Sequence, residues 1–492
     1  MKRTLRLLLP CLLSLPLLLS CREKEEVTEE PREENNPTYE ALNFFAYNAL
    51  DMYYLWIDEI QSSLETWYRY DDPVASVEKV RYKDSDGEDI DKWTQMIDDY
   101  ESFTSSVAGV STTFGLDYKL YYLDSSHQKI VAVVTFTYAD SPARAAGLQR
   151  GDVISAVDGI TMTPDNYISV VYDHLIGGSS VSLTLSSGKT VDMTAVTMYE
   201  NPVLEYKFFN CGSKRVGYLA YTSFTLDSCE ELIEACKYFK SREVTELVLD
   251  LRYNSGGYVY AEEVLASMLA PESAVRDSAV FEKEVYNANI RKSWGEDYGT
   301  SRFTTHYDFT SSRKSYKFST ADANIGLEKI YALVSGDTAS AAESILVGLG
   351  PYLDIEIIGT QTYGKYCGGI MYGACEWYED YRKYIPETDY ENGIKYCTNW
   401  GIYLMISRYA DCNGNTPCMP SGFVPDFEVS DNPVEAIPLG DPSEKMLSVA
   451  LQHAGYVSTA STAVKPSSAA PAQEAAPVQP SGAPKGLRIL HL

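Results

Sequence analysis

Residues 206–429 alternate short apolar segments with amphipathic ones, and this alternation limits the fold more than any other feature of the 492-residue chain. The apolar segments have the length of buried strands, and those between them have the period of helices. In chain order we predict a strand at 247–251, a helix at 260–269, a strand at 330–334, a helix at 341–349 and a strand at 355–358. Such alternation predicts an α/β domain, to which we assign residues 205–440.

A serine stands where one of these strands leads into a helix. Residues 335–343 read Ser-Gly-Asp-Thr-Ala-Ser-Ala-Ala-Glu, and the helix is expected to start near Ser340. A hydroxyl at this position lies close to free backbone amides and to the positive end of the helix dipole, and both suit an oxyanion. The spacing of Ser340 and Glu343 also fits a capping box, so Glu343 has a structural explanation that is compatible with a catalytic one.

A lysine follows the next predicted strand. Residues 362–365 read Thr-Tyr-Gly-Lys, so the loop after that strand can bring the Lys365 amine beside the first loop. These two motifs resemble those of the C-terminal processing peptidases, also called tail-specific proteases. The resemblance extends to Asp-Leu-Arg-Tyr-Asn-Ser-Gly-Gly at 250–257 and to Gly-Phe-Val-Pro-Asp at 422–426.

The resemblance implies a ClpP/crotonase-like catalytic domain with Ser340 as nucleophile and Lys365 as general base. The implied oxyanion donors are the amide of Gly257, or that of Gly256, together with the amide of Ala341. Glu343 matches the acidic position of the family.

One departure from the family pattern concerns the catalytic lysine. Many members have a glutamine four residues after it, where this chain has Gly369, and Tyr366 replaces a small residue. What orients the amine of Lys365 is therefore left open by the sequence.

The implied chemistry does not require histidine, and none of the five histidines lies in these motifs. A lysine amine has an ordinary pKa of about 10.4, which makes it a poor base at neutral pH. Burial disfavours the ammonium and could bring that pKa to roughly 7 to 8. A neutral Lys365 would then take the proton of Ser340 and later give it to the leaving amine.

Residues 106–198 contain strand-like runs and resemble a PDZ domain. Residues 141–154 read Ser-Pro-Ala-Arg-Ala-Ala-Gly-Leu-Gln-Arg-Gly-Asp-Val-Ile, and Val-Asp-Gly follows at 157–159, close to the helix, turn and strand signature of that family. A PDZ domain binds an extended peptide as an added strand and holds its terminal carboxylate on a loop of backbone amides. Phe114, Gly115 and Leu116 fit the short form of that loop, although an ordinary strand start explains them too.

The N-terminus predicts export. Residues 1–21 carry basic residues before a leucine-rich run too short for a transmembrane helix, and they end in Leu-Leu-Ser-Cys, which resembles a bacterial lipobox with Cys21 as the lipidated residue. A plain signal peptide with a chance cysteine is the alternative. Residues 22–38 are an acidic tether, and 39–105 show helical periodicity with an aromatic stripe that we attribute to a core.

The C-terminus divides into two parts. Residues 441–456 predict a helix. Residues 457–492 are rich in Ser, Ala and Pro and predict a disordered tail. The fold class is therefore a multi-domain α+β protein with a helical N-terminal domain, a PDZ domain resembling a β-sandwich, and an α/β catalytic domain.

Composition excludes some functions. A formal net charge of −28 opposes nucleic-acid binding, which draws on clustered Lys and Arg. Cysteine spacing forms no zinc pattern, so we predict no metal and no cofactor, and disulfide pairing is not deducible. The expected partners are protein or peptide substrates and a membrane bound through lipid, and a homo-oligomer is compatible with the sequence. The predicted function is an exported serine endopeptidase of the cell envelope, facing the periplasm or the surface, and the alternative is a non-catalytic PDZ-type peptide-binding lipoprotein.

Overall fold

The computed structural model describes residues 36–295, 298–310, 314–457, 473–474 and 487–490. The predicted signal peptide with Cys21, most of the tether and most of the C-terminal tail lie outside these residues. Among the helices described, none is long and apolar enough to cross a membrane.

The first region is mainly helical. Its elements are α1 (Pro37–Tyr53), α2 (Ile57–Leu64), α3 (Pro73–Val80), β1 (Gln95–Ile97) and α4 (Tyr100–Val107). Asn36 caps α1 by accepting bonds from two amides of its first turn, and the predicted apolar stripe of α1 is buried. The helical periodicity predicted from Trp93 to Tyr100 is wrong for Gln95–Ile97, because these residues form strand β1 and pair with a distant strand. Helix α4 begins at Tyr100.

The second region is built mostly of strands. Its elements are β2 (Val110–Thr113), β3 (Leu116–Tyr122), β4 (Ile130–Thr137), α5 (Pro142–Ala145), β5 (Val153–Val157), α6 (Tyr167–Val170), β6 (Ser180–Leu185), β7 (Thr190–Thr194) and β8 (Val196–Tyr199). A π-helical turn, Val171–Ile176, extends α6. Strands β3 to β7 form an antiparallel sheet around an apolar core of their own, and β2 pairs with β8.

The third region contains the remaining elements. These are β9 (Val203–Cys211), β10 (Lys214–Tyr221), α7 (Cys229–Ser241), β11 (Glu246–Asp250), β12 (Gly256–Tyr258), α8 (Val259–Leu269), α9 (Glu272–Arg276), β13 (Val280–Tyr286), α10 (Ala288–Trp294), β14 (Thr300–Arg302), β15 (His306–Thr310), β16 (Ser315–Ser319), β17 (Lys329–Val334), α11 (Ala341–Leu349), β18 (Asp354–Gly359), β19 (Cys367–Gly373), α12 (Ala374–Tyr381), α13 (Glu387–Tyr396), β20 (Gly401–Asp411), β21 (Phe427–Glu428), α14 (Lys445–His453), β22 (Gln473–Glu474) and β23 (Leu487–Ile489).

One sheet of this region is the predicted α/β sheet, ordered β21-β18-β17-β11-β10-β9. Strands β10, β11, β17 and β18 run parallel, and β9 adds an antiparallel edge. Helices α7, α8 and α11 cover one face and α14 covers the other, which explains why β11 and most of β17 are buried. The strands and helices predicted between residues 247 and 358 are confirmed within a few residues.

The second sheet of this region was not predicted. Its order is β12-β23-β19-β20-β13-β14, with β1 paired to β20. The N-terminal helices α1 to α3 share one apolar core with α12 and with strands β19 and β20. The helical segment therefore packs as a layer on this sheet, and Trp377 and Tyr378 contact the aromatic rings of α1.

A buried ionic cluster joins the second region to the third. Arg150 donates to Asp431 Oδ1 at 2.5 Å and to the hydroxyl of Tyr253 at 2.6 Å, and Arg252 donates to the same Asp431 oxygen at 2.9 Å. Burial raises the pKa of Asp431, but the two guanidinium groups outweigh it and hold that pKa well below its usual range. The strand sheet of residues 106–198 is thereby fixed to the segment that leads into β12.

The C-terminal helix predicted at 441–456 corresponds to α14, and of the tail only residues 473–474 and 487–490 beyond residue 457 are described. These two short segments are paired strands, β22 with β3 and β23 with β12 and β19. For the rest of the tail, disorder remains a prediction.

Candidate active site

Ser340 stands at the start of helix α11, as predicted, with an unusual backbone. Its φ is +61° and its ψ −118°, a conformation that costs energy for a residue with a side chain. The residue is 0% exposed, and among the described residues its Oγ has no hydrogen-bond partner. The preceding amide, that of Ala339, donates to the carbonyl of Asn254 at 3.1 Å and ties the serine turn to the segment before β12. A strained backbone and a buried hydroxyl without a hydrogen-bond partner are features that functional sites retain and ordinary cores avoid.

Glu343 joins the serine turn to the lysine loop. Its Oε2 accepts from the amides of Ser340 at 3.0 Å and Lys365 at 2.9 Å, and its Oε1 accepts from the amide of Gly364 at 2.8 Å and the hydroxyl of Thr362 at 2.5 Å. Burial raises the pKa of Glu343 to about 7, against four donors that each lower it. The bond to the Ser340 amide supplies one half of the predicted capping box. The other three bonds show that the carboxylate positions both loops.

Lys365 is 0% exposed, and its Nζ points between two aromatic side chains. It donates to the hydroxyl of Tyr403 at 3.0 Å and lies 5.1 Å from the centre of the Trp93 ring. The expected hydrogen bond between Ser340 Oγ and Lys365 Nζ is not formed in this structure. The two residues are neighbours nonetheless, because their amides share one oxygen of Glu343.

Tyr403 and Trp93 are site residues that the sequence motifs did not reveal. Tyr403 lies on β20, opposite Met371 of β19, and Trp93 precedes β1, which pairs with the same stretch of β20. The one available signal was Gly369, the departure from the family pattern. A Cβ at this glycine would lie 2.9 Å from Cε2 of Tyr403 and 2.7 Å from the carbonyl oxygen of Leu404, so the space of a side chain is already filled.

The predicted oxyanion donors lie beside the serine turn but differ from one another. The amide of Gly256 donates to Asn254 Oδ1 at 2.9 Å, so it is already engaged. Gly257 has a φ of +141°, and a Cβ there would collide with the carbonyl of Phe224. Ala341 is the first residue of α11, where helix amides have no partner within the helix. Gly257 and Ala341 are therefore the better candidates.

The predicted carboxylate loop of the PDZ region lies at the start of β3. Its carbonyls accept bonds, that of Phe114 from Ala143 and that of Gly115 from Tyr138. The amide of Gly115 donates to Thr113 Oγ1 at 3.0 Å, which leaves the amides of Phe114 and Leu116 as the candidate carboxylate donors. Gly115 has a φ of +72°, and a Cβ there would overlap Ser141.

Within the described residues, no group of three or more His, Cys, Asp or Glu is placed to hold a metal ion. The eight cysteines in the same part of the chain are free thiols.

Comparison with known families agrees with this architecture. Residues 215–429 match the model of peptidase family S41, and residues 133–185 match a PDZ domain model. The chain thus carries a PDZ domain followed by a peptidase domain of family S41. The S41 match spans Ser340, Glu343 and Lys365, and the resemblance to the C-terminal processing peptidases is confirmed at the level of the family.

Two curated relatives are similar to this chain over part of their length. A carboxyl-terminal-processing protease of Picosynechococcus is 26% identical over 284 residues, which cover 56% of this chain and 60% of the relative. The carboxyl-terminal-processing peptidase 2, chloroplastic, of Arabidopsis thaliana is 27% identical over 349 residues, 67% of this chain and 61% of the relative. The chain therefore spans about three fifths of the length of these relatives.

A solved structure shows the same fold. A crystal structure from Bacteroides fragilis, described as a candidate S41 protease, aligns over 83% of this chain and 96% of its own with a TM-score of 0.60 and 20% identity.

Proposed function

We propose that the chain is an exported serine endopeptidase that hydrolyses peptide bonds near protein C-termini, with Ser340 as nucleophile and Lys365 as general base. One observation supports this most directly. A single buried carboxylate, Glu343, binds the backbone amides of both residues, and the Ser340 hydroxyl has no hydrogen bond within the described part of the chain.

The proposed chemistry uses groups that this site contains. The neutral amine of Lys365 takes the proton of Ser340 Oγ as the oxygen attacks the scissile carbonyl. The resulting oxyanion faces the amides of Gly257 and Ala341, and each such donor lowers the barrier by roughly 2.7 to 4 kcal/mol. The lysine then protonates the leaving amine, and water hydrolyses the acyl-enzyme with the same base. Because Nζ now bonds Tyr403, substrate binding has to bring the amine and the hydroxyl together.

The PDZ domain is proposed to capture the end of the substrate. Its β3 edge and the loop at 114–116 are the parts that would take an extended peptide and its carboxylate. The names of the relatives, carboxyl-terminal-processing proteases, support a C-terminal preference.

Labelling with a fluorophosphonate, which reacts with activated serines, tests the proposal. Wild type should be labelled at Ser340, located by mass spectrometry, and should cleave a peptide with a free C-terminus. The matched control is Ser344→Ala, since Ser344 lies on the same helix and donates to Glu282. Labelling and cleavage should disappear with Ser340→Ala and persist with Ser344→Ala. A wild-type protein that binds the peptide but is neither labelled nor active would favour the non-catalytic peptide-binding lipoprotein.

We propose in addition that lipid on Cys21 holds the protein in the cell envelope. The support is the leucine-rich run ending in Leu-Leu-Ser-Cys. Metabolic labelling with a fatty-acid analogue should mark the wild type and not Cys21→Ser. Absence of label from the wild type would leave a plain signal peptide as the explanation, and equal labelling of the two proteins would place the lipid on a residue other than Cys21.

A further inference from the structure

The C-terminal strand β23 lies between two strands of the second sheet. It runs parallel to β12, with Gly257 opposite Arg488, and pairs with β19 through Gly369 opposite Ile489. The amide of Leu490 donates to the carbonyl of Gly369 at 3.0 Å. In the described sheet β12 and β19 are joined only through β23, so its removal would leave a slot with one strand edge on each side. We call this space the β12/β19 slot.

The slot adjoins the candidate active site on both sides. β12 carries Gly257, the candidate oxyanion donor, and β19 begins two residues after Lys365. Ile489 and Leu490 are buried there, Ile489 against the core that contains α11 and Leu490 against the core of the N-terminal helices. The extended segment 487–490 thus lies between the strand that carries the Gly257 amide and the strand that follows Lys365.

The same tail also pairs with the PDZ domain. Gln473 and Glu474 form β22 on the β3 edge, antiparallel to Tyr122 and Tyr121. This edge starts at the predicted carboxylate loop, and strand addition at such an edge is how PDZ domains bind peptides. One segment of the chain therefore occupies an edge in both domains.

We propose that the β12/β19 slot is a binding site for an extended peptide with apolar side chains, and that residues 487–490 of the same chain occupy it until a substrate displaces them. This inference rests on the proposed function for its catalytic meaning, but the occupancy can be measured without turnover. Displacement of residues 487–490 would open the two strand edges beside Ser340 and Lys365, which are both 0% exposed.

A binding experiment in the Ser340→Ala background tests occupancy alone. The probe is a labelled peptide, Lys-Gly-Leu-Arg-Ile-Leu-His-Leu, which repeats residues 485–492. Ile489→Asp places a charge at a site that is 3% exposed, and this should expel the tail and tighten probe binding at least tenfold. Leu490→Asp should act in the same direction. The control is Val457→Asp, the same change at a position that is 80% exposed, which should leave binding unchanged.

The outcomes separate the two proposals. With Ser340 intact, Ile489→Asp should lower KM for a peptide substrate several-fold with little change in kcat. Equal probe binding by all variants would overturn occupancy of the slot by the tail, whatever the activity. If Ile489→Asp binds the probe more tightly but the protein with Ser340 intact has no peptidase activity, the proposed function would be overturned and the slot would remain.

A second inference concerns the amine of Lys365, and independent contacts support it. Tyr403 belongs to none of the motifs that carry the family resemblance. Its hydroxyl nevertheless accepts a hydrogen bond from Lys365 Nζ at 3.0 Å, and its ring centre lies 4.9 Å from that atom. Its ring also borders the space that a side chain at 369 would need. We infer that Tyr403 is the positioning residue for Lys365 in this chain, which has Gly369 where many family members have a glutamine.

Tyr403→Phe tests this role because it keeps the ring and removes one oxygen. The value of kcat should fall about 10- to 100-fold with KM nearly unchanged. Because the lost oxygen accepts from the ammonium, the rising limb of the pH profile should move to lower pH by about one unit. A residue that only supports the fold would not move that limb.

The matched control is Tyr331→Phe. Tyr331 is a buried residue of β17 on the face of the α/β sheet that α14 covers, and its hydroxyl donates to Glu246. This variant should leave the pH profile unchanged. Gly369→Gln should not restore Tyr403→Phe, since the carbonyl of Leu404 lies 2.7 Å from the added Cβ. A wild-type pH profile and kcat in Tyr403→Phe would overturn this inference alone, while an inactive wild type would refute the proposed function instead.

Discussion

Replacing Glu343 with glutamine isolates the role of the carboxylate that joins the two loops. The carboxylate accepts four bonds, two at each oxygen. A carboxamide has only one acceptor oxygen, and its NH2 group would face two of the same donors. Whichever way the amide turns, two buried donors lose their acceptor.

The expected cost follows from that count. A buried donor without a partner costs about 1–3 kcal/mol, so Glu343→Gln should lower the free energy of unfolding by about 2–6 kcal/mol. Loss of a helix cap alone would cost only about 0.5–2 kcal/mol. Urea unfolding at pH 8 measures the difference, and Glu272→Gln, an exposed acid in the first turn of α9, is the control and should change little.

Activity and pH give a second measure of the same carboxylate. Because burial raises the pKa of Glu343 from 4.5 to about 7, the folded chain binds this proton more tightly than the unfolded chain, and the contribution of this titration to stability is full below pH 4.5 and is lost as the pH rises through about 7. This pH-dependent contribution should be absent in Glu343→Gln. Wild-type kcat should fall below about pH 7, where a protonated carboxyl group can no longer accept all four bonds. A variant that unfolds within about 1 kcal/mol of wild type and retains its kcat would refute the bridging role.

Three further predictions concern other parts of the molecule. Lys365→Arg should be as inactive towards a peptide substrate as Lys365→Ala, because a guanidinium stays protonated and cannot act as a base; activity within tenfold of wild type would exclude Lys365 as the base. Amidating the C-terminus of a long peptide should raise KM more than it lowers kcat, because the loop at 114–116 loses a charged partner, and equal kinetics for the two peptides would remove end recognition. Asp431→Asn should lower the free energy of unfolding by about 3–5 kcal/mol, because the buried guanidinium of Arg150 loses its carboxylate partner while Arg252 keeps Asp250 and Glu444, and an unchanged urea midpoint would contradict this.

The sequence alone determined the parts of this protein that depend on short stretches of chain. Strands and helices between residues 247 and 358 follow from local periodicity, and the confirmed PDZ and S41 regions follow from motifs of a few adjacent residues. Ser340, Glu343 and Lys365 were candidates because each belongs to such a motif. Where periodicity was the only guide, as from Trp93 to Tyr100, it misled, because pairing of β1 with β20 overrode it.

Tertiary structure alone decided what surrounds the lysine and what fills the slot. Tyr403 reaches Nζ because β20 pairs with both β19 and β1, although these strands are far apart in the chain. Residues 487–490 looked like the end of a low-complexity tail, and only pairing with β12 and β19 gives them a place. Side-chain patterns show which face of an element is buried but not which distant strand will lie beside it, because backbone hydrogen bonds between strands are nearly the same for every sequence.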